Sequence, residues 1–243
     1  MRKLLLFIFV FASCSLIGQV STWDYPTKPG SEKWKSLKSH TEMVELCQIP
    51  DTIIHSLSTE DLTRICLDYP LFFSMTAFSN MQEGFEQVSS EFNGFVELYQ
   101  RKDFAKELLV LYKSIKPDDV KQISTDLDKG RFMFRTFYLE IMLAQNNVLK
   151  CLSDNDLNEL LIESLRKSKQ KQESNYSVFQ TQATFLVMGR ILVLKKNEGF
   201  VKKVSTNPEF YNAFLKTAFL ADISILNEIR NSATDLINSL KDY

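Results

Sequence analysis

Residues 176–196 read YSVFQTQATFLVMGRILVLKK, a stretch that places apolar side chains on nearly every face of a helix. A helix that is apolar all round must be covered by other elements, so this stretch predicts a central helix inside a larger bundle. Its most apolar part, Phe185–Leu194, contains Arg190 and is about half the length needed to cross a bilayer. We therefore expect a buried helix of a globular domain and no transmembrane segment here.

The sequence on either side of this stretch continues the helical pattern. Residues 127–152 are apolar on several faces and predict a second central helix, while residues 154–171 are amphipathic and predict a more exposed one. Glycine (7) and proline (6) are scarce, and no run of β-branched residues alternates with polar ones. The sequence thus predicts an all-α fold, either an irregular multi-helix bundle or a short α-solenoid-like array, with about nine to eleven helices.

The N-terminus has the features of a secretory signal peptide. Two basic residues precede the apolar run Leu4–Ala12, and small residues follow it. Cleavage after Gly18 is the favoured prediction, which makes residues 1–18 the signal peptide. The alternative is cleavage before Cys14 with lipidation of that cysteine, because the residues around it resemble a bacterial lipobox. The predicted location is exported, either periplasmic or secreted, or lipid-anchored through Cys14.

The mature chain is predicted to have an extended leader and one domain. Residues 19–31 hold two prolines and a glycine without helical periodicity, and residues 32–243 form the predicted single all-helical domain. Removal of residues 1–18 leaves 27 basic and 30 acidic residues, a net charge of −3. This balance argues against nucleic acid or an anionic membrane surface as a partner.

Three cysteines follow the signal region: Cys47, Cys66 and Cys151. An exported protein could bridge Cys47 to Cys66, but all three occupy apolar positions of helical patterns, which favours buried thiols. With two histidines and no Cys-x-x-Cys motif, the sequence predicts neither a structural zinc site nor any other cofactor.

Four short stretches carry a resemblance to other proteins: Cys47–Pro50 (CQIP), Leu57–Thr59 (LST), Tyr69–Pro70 (YP) and Phe92–Gly94 (FNG). Together they resemble a group of exported, all-helical bacterial proteins without an assigned activity. The resemblance covers roughly residues 34–115 and implies export and a helical fold. It carries over no function and no site residue.

Motifs for known chemistry are missing from the sequence. It contains no Gly-x-Ser-x-Gly, no phosphate-binding glycine loop, no dinucleotide fingerprint and no His-Glu-x-x-His. Two charges stand out because each interrupts a strongly apolar helix, namely Glu140 and Arg190. A buried charge is costly unless it is paired, so we predict that these two residues form a buried ion pair.

A second candidate site is a groove formed by the aromatic stretch between Leu71 and Tyr99. Polar side chains lie among its rings and could recognise a peptide or glycan, although aromatic residues at helical spacing more often form core. The candidate groove residues are Phe78, Asn80, Gln82, Glu83, Gln87 and Asn93. The basic run Arg166–Lys171, by contrast, is predicted to be solvated at a helix C-terminus.

The function predicted from these observations is a non-catalytic helical module outside the cytoplasm that binds a protein, a peptide or an envelope component. One alternative is a carboxylate-dependent hydrolase of a helical class, whose Asp or Glu residues converge only in three dimensions. Another is a periplasmic immunity or inhibitor protein. No catalytic, cofactor-binding or metal-binding residue is predicted.

Overall fold

The computed structural model describes residues 23–240, and every regular element among them is a helix, which confirms the all-α prediction. The predicted signal peptide, Cys14 and the start of the leader lie outside the described residues. Ten α-helices have seven or more residues, within the predicted range, and four shorter ones join them. The first half of the described chain contains α1 (Glu32–Lys35), α2 (His40–Cys47), α3 (Asp51–Ile54), α4 (Thr59–Leu67), a 3-10 helix (Phe72–Ala77), α5 (Met81–Glu91), α6 (Asn93–Leu98), α7 (Phe104–Ser114) and a second 3-10 helix (Pro117–Gln122). The second half contains α8 (Asp126–Leu143), α9 (Asn146–Cys151), α10 (Asp154–Glu173), α11 (Val178–Leu194), α12 (Glu198–Thr206), α13 (Pro208–Thr217) and α14 (Ser224–Ser239).

Serine side chains begin several of these helices. Ser31 accepts a hydrogen bond from the Trp34 backbone N–H, and Ser58 accepts one from the Asp61 N–H. Ser177 starts α11 with a complete capping box, since the Gln180 side chain accepts from the Ser177 backbone N–H in return. Each cap satisfies donors that the first turn leaves without a partner, and so fixes where the helix begins.

Two stretches with a continuous apolar helical pattern are each broken into two helices. The pattern that runs from Trp34 to Cys47 forms α1 and α2, because Ser39 caps a new helix start in its middle. The apolar stretch 127–152 ends its first helix at Leu143, and α9 starts at Asn146 after an extended Gln145. Apolar periodicity continues across both breaks, which is why the pattern alone does not reveal them.

Helix α11 is the centre of the second half of the fold, as predicted. It packs against α8, α10 and α14 and, at its end, against α12 and α13. Gly189 permits this packing, since a Cβ at that position would lie 2.7 Å from the Leu215 side chain of α13 and 3.3 Å from that of Ile229 of α14. Close approach by two neighbouring helices therefore explains the glycine inside this helix.

Helix α5 lies equally close to the first 3-10 helix. A Cβ on Gly84 would lie 2.0 Å from the backbone oxygen of Met75, so the two backbones are in direct contact there. Most of the rings that follow Leu71 pack inward at this junction, including Phe72, Phe85 and Phe95, whose centroids lie 5.5–6.0 Å apart. This aromatic cluster is core.

Three of the four stretches that carry the resemblance, CQIP, YP and FNG, form a structural clamp. Asn93 donates through Nδ2 to the Ile49 backbone oxygen (2.8 Å) and accepts through Oδ1 from the Ile49 N–H (3.0 Å). Gln48 accepts from the Asn93 N–H at 2.9 Å, and Tyr69 stacks on Phe92 at 4.4 Å between ring centroids. The contacts join the end of α2 to the start of α6, so these residues have a structural role.

Candidate functional site

An open cavity of about 830 Å³ lies where the leader crosses the first turns of α8. We call it the aromatic groove. Its volume falls in the range of about 300–1,000 Å³ that is usual for ligand pockets. Its lining is mostly apolar and includes Tyr25, Pro70, Phe73, Leu127, Phe134 and Tyr138.

Two apolar side chains of the groove are largely exposed. Phe73 is 55% exposed and Leu127 is 66% exposed. Phe73 meets Phe134 edge to face at 5.2 Å, and Phe134 in turn meets Tyr138 at 6.0 Å. Because Tyr138 itself stacks on the core residue Phe72 at 4.1 Å, the exposed rings rest on a rigid base. This is the arrangement of a surface that can receive apolar side chains of a partner.

Charged residues of both signs surround the groove, and they pair with one another. Asp68 contacts Arg135, and Asp24 contacts Lys28 at 2.5 Å. Burial lowers the pKa of Arg135, with a smaller contribution from the positive charge of Arg64. The hydrogen bond from Lys28 holds the pKa of Asp24 below its usual value. The rim therefore carries little net charge, and the apolar floor dominates recognition.

The predicted Glu140–Arg190 ion pair is wrong, although both side chains are buried as expected. Arg190 donates instead to backbone carbonyl oxygens at two helix ends: Ala144, which caps α8 (2.8 Å), and Leu215 and Lys216 in the last turn of α13 (2.8 and 3.2 Å). A helix C-terminus carries about half a negative charge, so two of them oppose the guanidinium charge. Burial lowers the pKa of Arg190 to about 10, and the charge of Glu86 partly offsets that effect.

Glu140 pairs with Lys171, a partner that the sequence prediction missed. Both side chains have no exposed surface, and Lys171 Nζ lies 2.5 Å from Glu140 Oε2. The other carboxylate oxygen accepts from Tyr112 Oη at 3.0 Å and from Thr184 Oγ1 at 2.8 Å. Lys171 also donates to Thr184 and to the Gln180 carbonyl, both at 3.0 Å. Every polar atom of the pair is bonded within the core, so the pair is structural.

Lys167, one turn before Lys171, is buried as well. Its ammonium lies 2.9 Å from Glu163, contacts the Ile115 carbonyl and sits 4.7 Å from the centre of the Tyr112 ring. The prediction that the run Arg166–Lys171 is wholly solvated is therefore wrong for two of its lysines. The signal that could have found them is their spacing, since Leu160, Ser164, Lys167 and Lys171 lie on one face of α10.

A second open cavity, of about 520 Å³, lies beside Arg190 between α5, α9, α11 and α13. We call it the amide cavity, because five Asn and Gln side chains are among its lining residues. Gln82 accepts from Arg190 Nη2 at 2.9 Å and donates to Gln145 (2.8 Å) and to Glu86 (2.9 Å). Gln82 is the member of the predicted groove that the structure places at an open cavity.

The other five predicted groove residues do not form one groove with Gln82. Asn80 caps α5 by accepting from the Glu83 N–H, and Gln87 donates to Glu91 on the same helix. Asn93 is part of the clamp with Ile49, while Phe78 is 38% exposed next to the start of α5. The predicted groove is therefore wrong as a unit, because the apolar rings between these residues turn into the core.

Cys47 and Cys66 are free buried thiols, as predicted, but the prediction of a buried thiol is wrong for Cys151, which is exposed at the end of α9. Burial raises the pKa of Cys47 to about 11 and that of Cys66 well above its ordinary value. Neither buried thiol is in the reactive thiolate form at neutral pH. In the part of the chain that the structure describes, no group of three or more His, Cys, Asp or Glu could hold a metal ion.

Among residues 23–240, no helix combines the length and the apolarity needed to cross a bilayer. No known protein family matches the chain, and comparisons with curated proteins and with solved structures find no similar one. Function has to be inferred from the two cavities themselves.

Proposed function

We propose that this chain is a non-catalytic binding module that acts outside the cytoplasm and receives a protein or peptide partner in the aromatic groove. The observation that carries the proposal is the pair of exposed apolar side chains, Phe73 and Leu127, over a rigid aromatic floor. Contact between large apolar side chains and water is unfavourable, and the binding of a partner would remove that contact. Because the positive and negative charges at the rim nearly balance, the groove suits a partner segment with aromatic or aliphatic side chains and little net charge.

Binding is better supported than the carboxylate-dependent hydrolase. Asp24, Asp68 and Asp126 all line the groove, but each is paired with a basic side chain. A general acid needs a carboxyl group whose pKa is raised toward neutrality, whereas the Lys28 hydrogen bond lowers the pKa of Asp24. An immunity or inhibitor protein is a special case of the same binding proposal, with a toxin or enzyme as the partner.

The proposal is tested by panning a phage-displayed peptide library on the mature protein. We expect selected peptides to be enriched in apolar and aromatic residues, and Phe73→Ala and Leu127→Ala each to weaken their binding about fivefold or more. Phe219→Ala is the matched control, because Phe219 is equally exposed (58%) and does not line the groove. Equal loss in all three variants, or selected peptides without apolar residues, would count against the groove as the binding site.

Export is proposed on the signal-like N-terminus and is tested separately. Mass spectrometry of the protein from a bacterial host identifies the mature N-terminus. Gln19 as the first residue supports cleavage after Gly18, and an acylated Cys14 supports the lipid-anchored alternative. An intact Met1 in the cytosolic fraction contradicts both.

A further inference from the structure

The amide cavity has features of a small-molecule site, and it is separate from the aromatic groove. Its lining combines three aliphatic side chains, Val193, Leu194 and Val204, with amide and charged side chains. Such a mixture of apolar surface and a few polar groups is the usual composition of sites for small ligands. About 520 Å³ accommodates an amino acid or a short peptide.

Arg190 presents one unused donor beside this cavity. A guanidinium group has five N–H bonds. Four of them donate to Leu215, Ala144, Gln82 and Lys216, so one N–H on Nη1 is left without an acceptor among the described residues. Because the side chain is 8% exposed and lines the cavity, an oxygen atom of a ligand is a suitable acceptor for that N–H.

Apart from Arg190, the cavity is lined by one positively charged and one negatively charged side chain. The helix ends of α8 and α13 oppose the charge of Arg190, as described above. Lys216 lines the cavity, and its ammonium group has no ion-pair partner within residues 23–240. Glu86 also lines it, and one of its carboxylate oxygens accepts from Gln82 while the other accepts no hydrogen bond from the described part of the chain. A ligand that matches these charges carries one carboxylate and one ammonium group.

Amide side chains supply further donors and acceptors. Asn146 and Asn212 line the cavity, and their side chains form no hydrogen bond with any other residue that the structure describes. Both are therefore free to bond to the polar atoms of a ligand. Two free amide side chains in one cavity suit the closely spaced polar groups of an amino acid or a peptide end better than they suit a purely apolar molecule.

We propose that the amide cavity binds a small zwitterion with an apolar side chain, either a free α-amino acid or a short peptide. Its carboxylate meets Lys216 and the unused N–H of Arg190, its ammonium group meets Glu86, and its side chain packs on Val193 and Leu194. The proposal does not depend on the aromatic groove, so either can fail alone.

The probes are L-leucine, N-acetyl-L-leucine, L-leucinamide and the dipeptide leucyl-leucine, titrated into the mature protein. Binding is followed through the side-chain amide signals of Asn146 and Asn212 in ¹H–¹⁵N NMR spectra. We expect saturable shifts with the zwitterions and about fivefold weaker binding of each capped compound, because each has lost one charge contact. Tighter binding of leucine assigns a free amino acid as the ligand, and tighter binding of leucyl-leucine assigns a peptide.

Two variants assign the contacts. Lys216→Ala should weaken leucine binding about fivefold and leave leucinamide unchanged, since leucinamide has no carboxylate. Glu86→Gln should weaken leucine to a similar extent and leave N-acetyl-leucine unchanged. Both sites are exposed, so the variants should fold, and Lys102→Ala, at an exposed site outside the cavity, is the matched control. The proposal is overturned if no probe shifts the two amides, if capped and free compounds bind alike, or if Lys102→Ala has the same effect as Lys216→Ala.

Discussion

Replacing Lys171 with methionine removes one half of the buried Glu140–Lys171 pair and keeps a side chain of similar length. Glu140 would retain its bonds from Tyr112 and Thr184, but its charge would have no counter-ion. Removing one partner of a buried pair costs about 3–5 kcal/mol, because the remaining charge is uncompensated. We expect Lys171→Met to lose about 4 kcal/mol, or about 8–16 °C in Tm for a chain of this size.

The assay is urea unfolding followed by far-ultraviolet circular dichroism at several pH values. In the variant, Glu140 binds a proton more readily when the chain is folded than when it is unfolded, because protonation removes the buried charge. The variant should therefore regain stability relative to the wild type as the pH falls from about 7 to about 5, by at most about 1.4 kcal/mol per pH unit. Lys169→Met is the control, since that side chain is 78% exposed and should change stability by less than about 0.5 kcal/mol.

A double variant separates the lost charge pair from the altered packing. Adding Glu140→Gln to Lys171→Met removes the uncompensated charge and keeps an acceptor for Tyr112 and Thr184. About half of the lost stability should return. A loss of less than about 1 kcal/mol for Lys171→Met, which is the size of a surface ion pair, or a loss that does not vary with pH, would refute the reasoning.

Four other predictions concern backbone and thiol positions. Gly84→Ala should lower the free energy of unfolding by about 3 kcal/mol, since the added Cβ would overlap with a backbone oxygen. Gly130→Ala, with nothing near its Cβ, should raise the free energy of unfolding by up to about 1 kcal/mol. Thermal unfolding measures both. Lys196→Gly should stabilise the chain by about 1 kcal/mol in urea unfolding, because Lys196 ends α11 in a left-handed conformation with φ of 51°. Iodoacetamide should alkylate Cys151 in the native protein and leave Cys47 unmodified, as peptide mass spectrometry would show. Because burial raises the pKa of Cys47 from 9.0 to about 11, its contribution to stability should be full below pH 9.0 and should be lost as the pH rises through about 11. The loss should be smaller in Cys47→Ala, in which Cys66 still contributes.

The helical pattern of the sequence was sufficient to predict the fold class and the central position of α11. Apolar residues at helical spacing and serine caps act within one segment, so they can be recognised without knowledge of the rest of the chain. The breaks at Ser39 and Gln145 were missed, because the apolar pattern continues through them. The position at which a helix ends depends also on the elements that pack against it. These elements are not part of the segment itself.

The same limit applies to the site residues, whose partners come from other segments of the chain. Burial of Glu140 and of Arg190 could be predicted, because each charge interrupts an apolar helix. Their partners could not, since the counter-charge for Arg190 comes from the carbonyl groups of two helix ends and not from any acidic residue. A helix end has no residue type of its own, so no search for acidic side chains could find it.

The aromatic groove was missed for a related reason. Its rings come from the leader, the segment after α4 and the first turns of α8, three parts of the chain that are separate in sequence. Leu127 and Phe134 were assigned to a central helix because the whole stretch 127–152 is apolar. Only the second half of α8 is buried, and its first half extends to the groove, where Leu127 is exposed and Phe134 is partly buried.

The division of polar and apolar groups among the described residues is the basis for proposing binding over chemistry. Tyr112 and Lys171, whose pKa values are shifted by burial, lie fully inside the core, where a substrate cannot reach them. The aromatic groove and the amide cavity instead contain charged groups that are paired, exposed or, for Arg190, bonded to backbone carbonyl groups, together with apolar surface that a ligand can cover. Arg190 has a pKa lowered only to about 10, so it stays a cation at neutral pH and suits the binding of a ligand's oxygen atoms better than proton transfer.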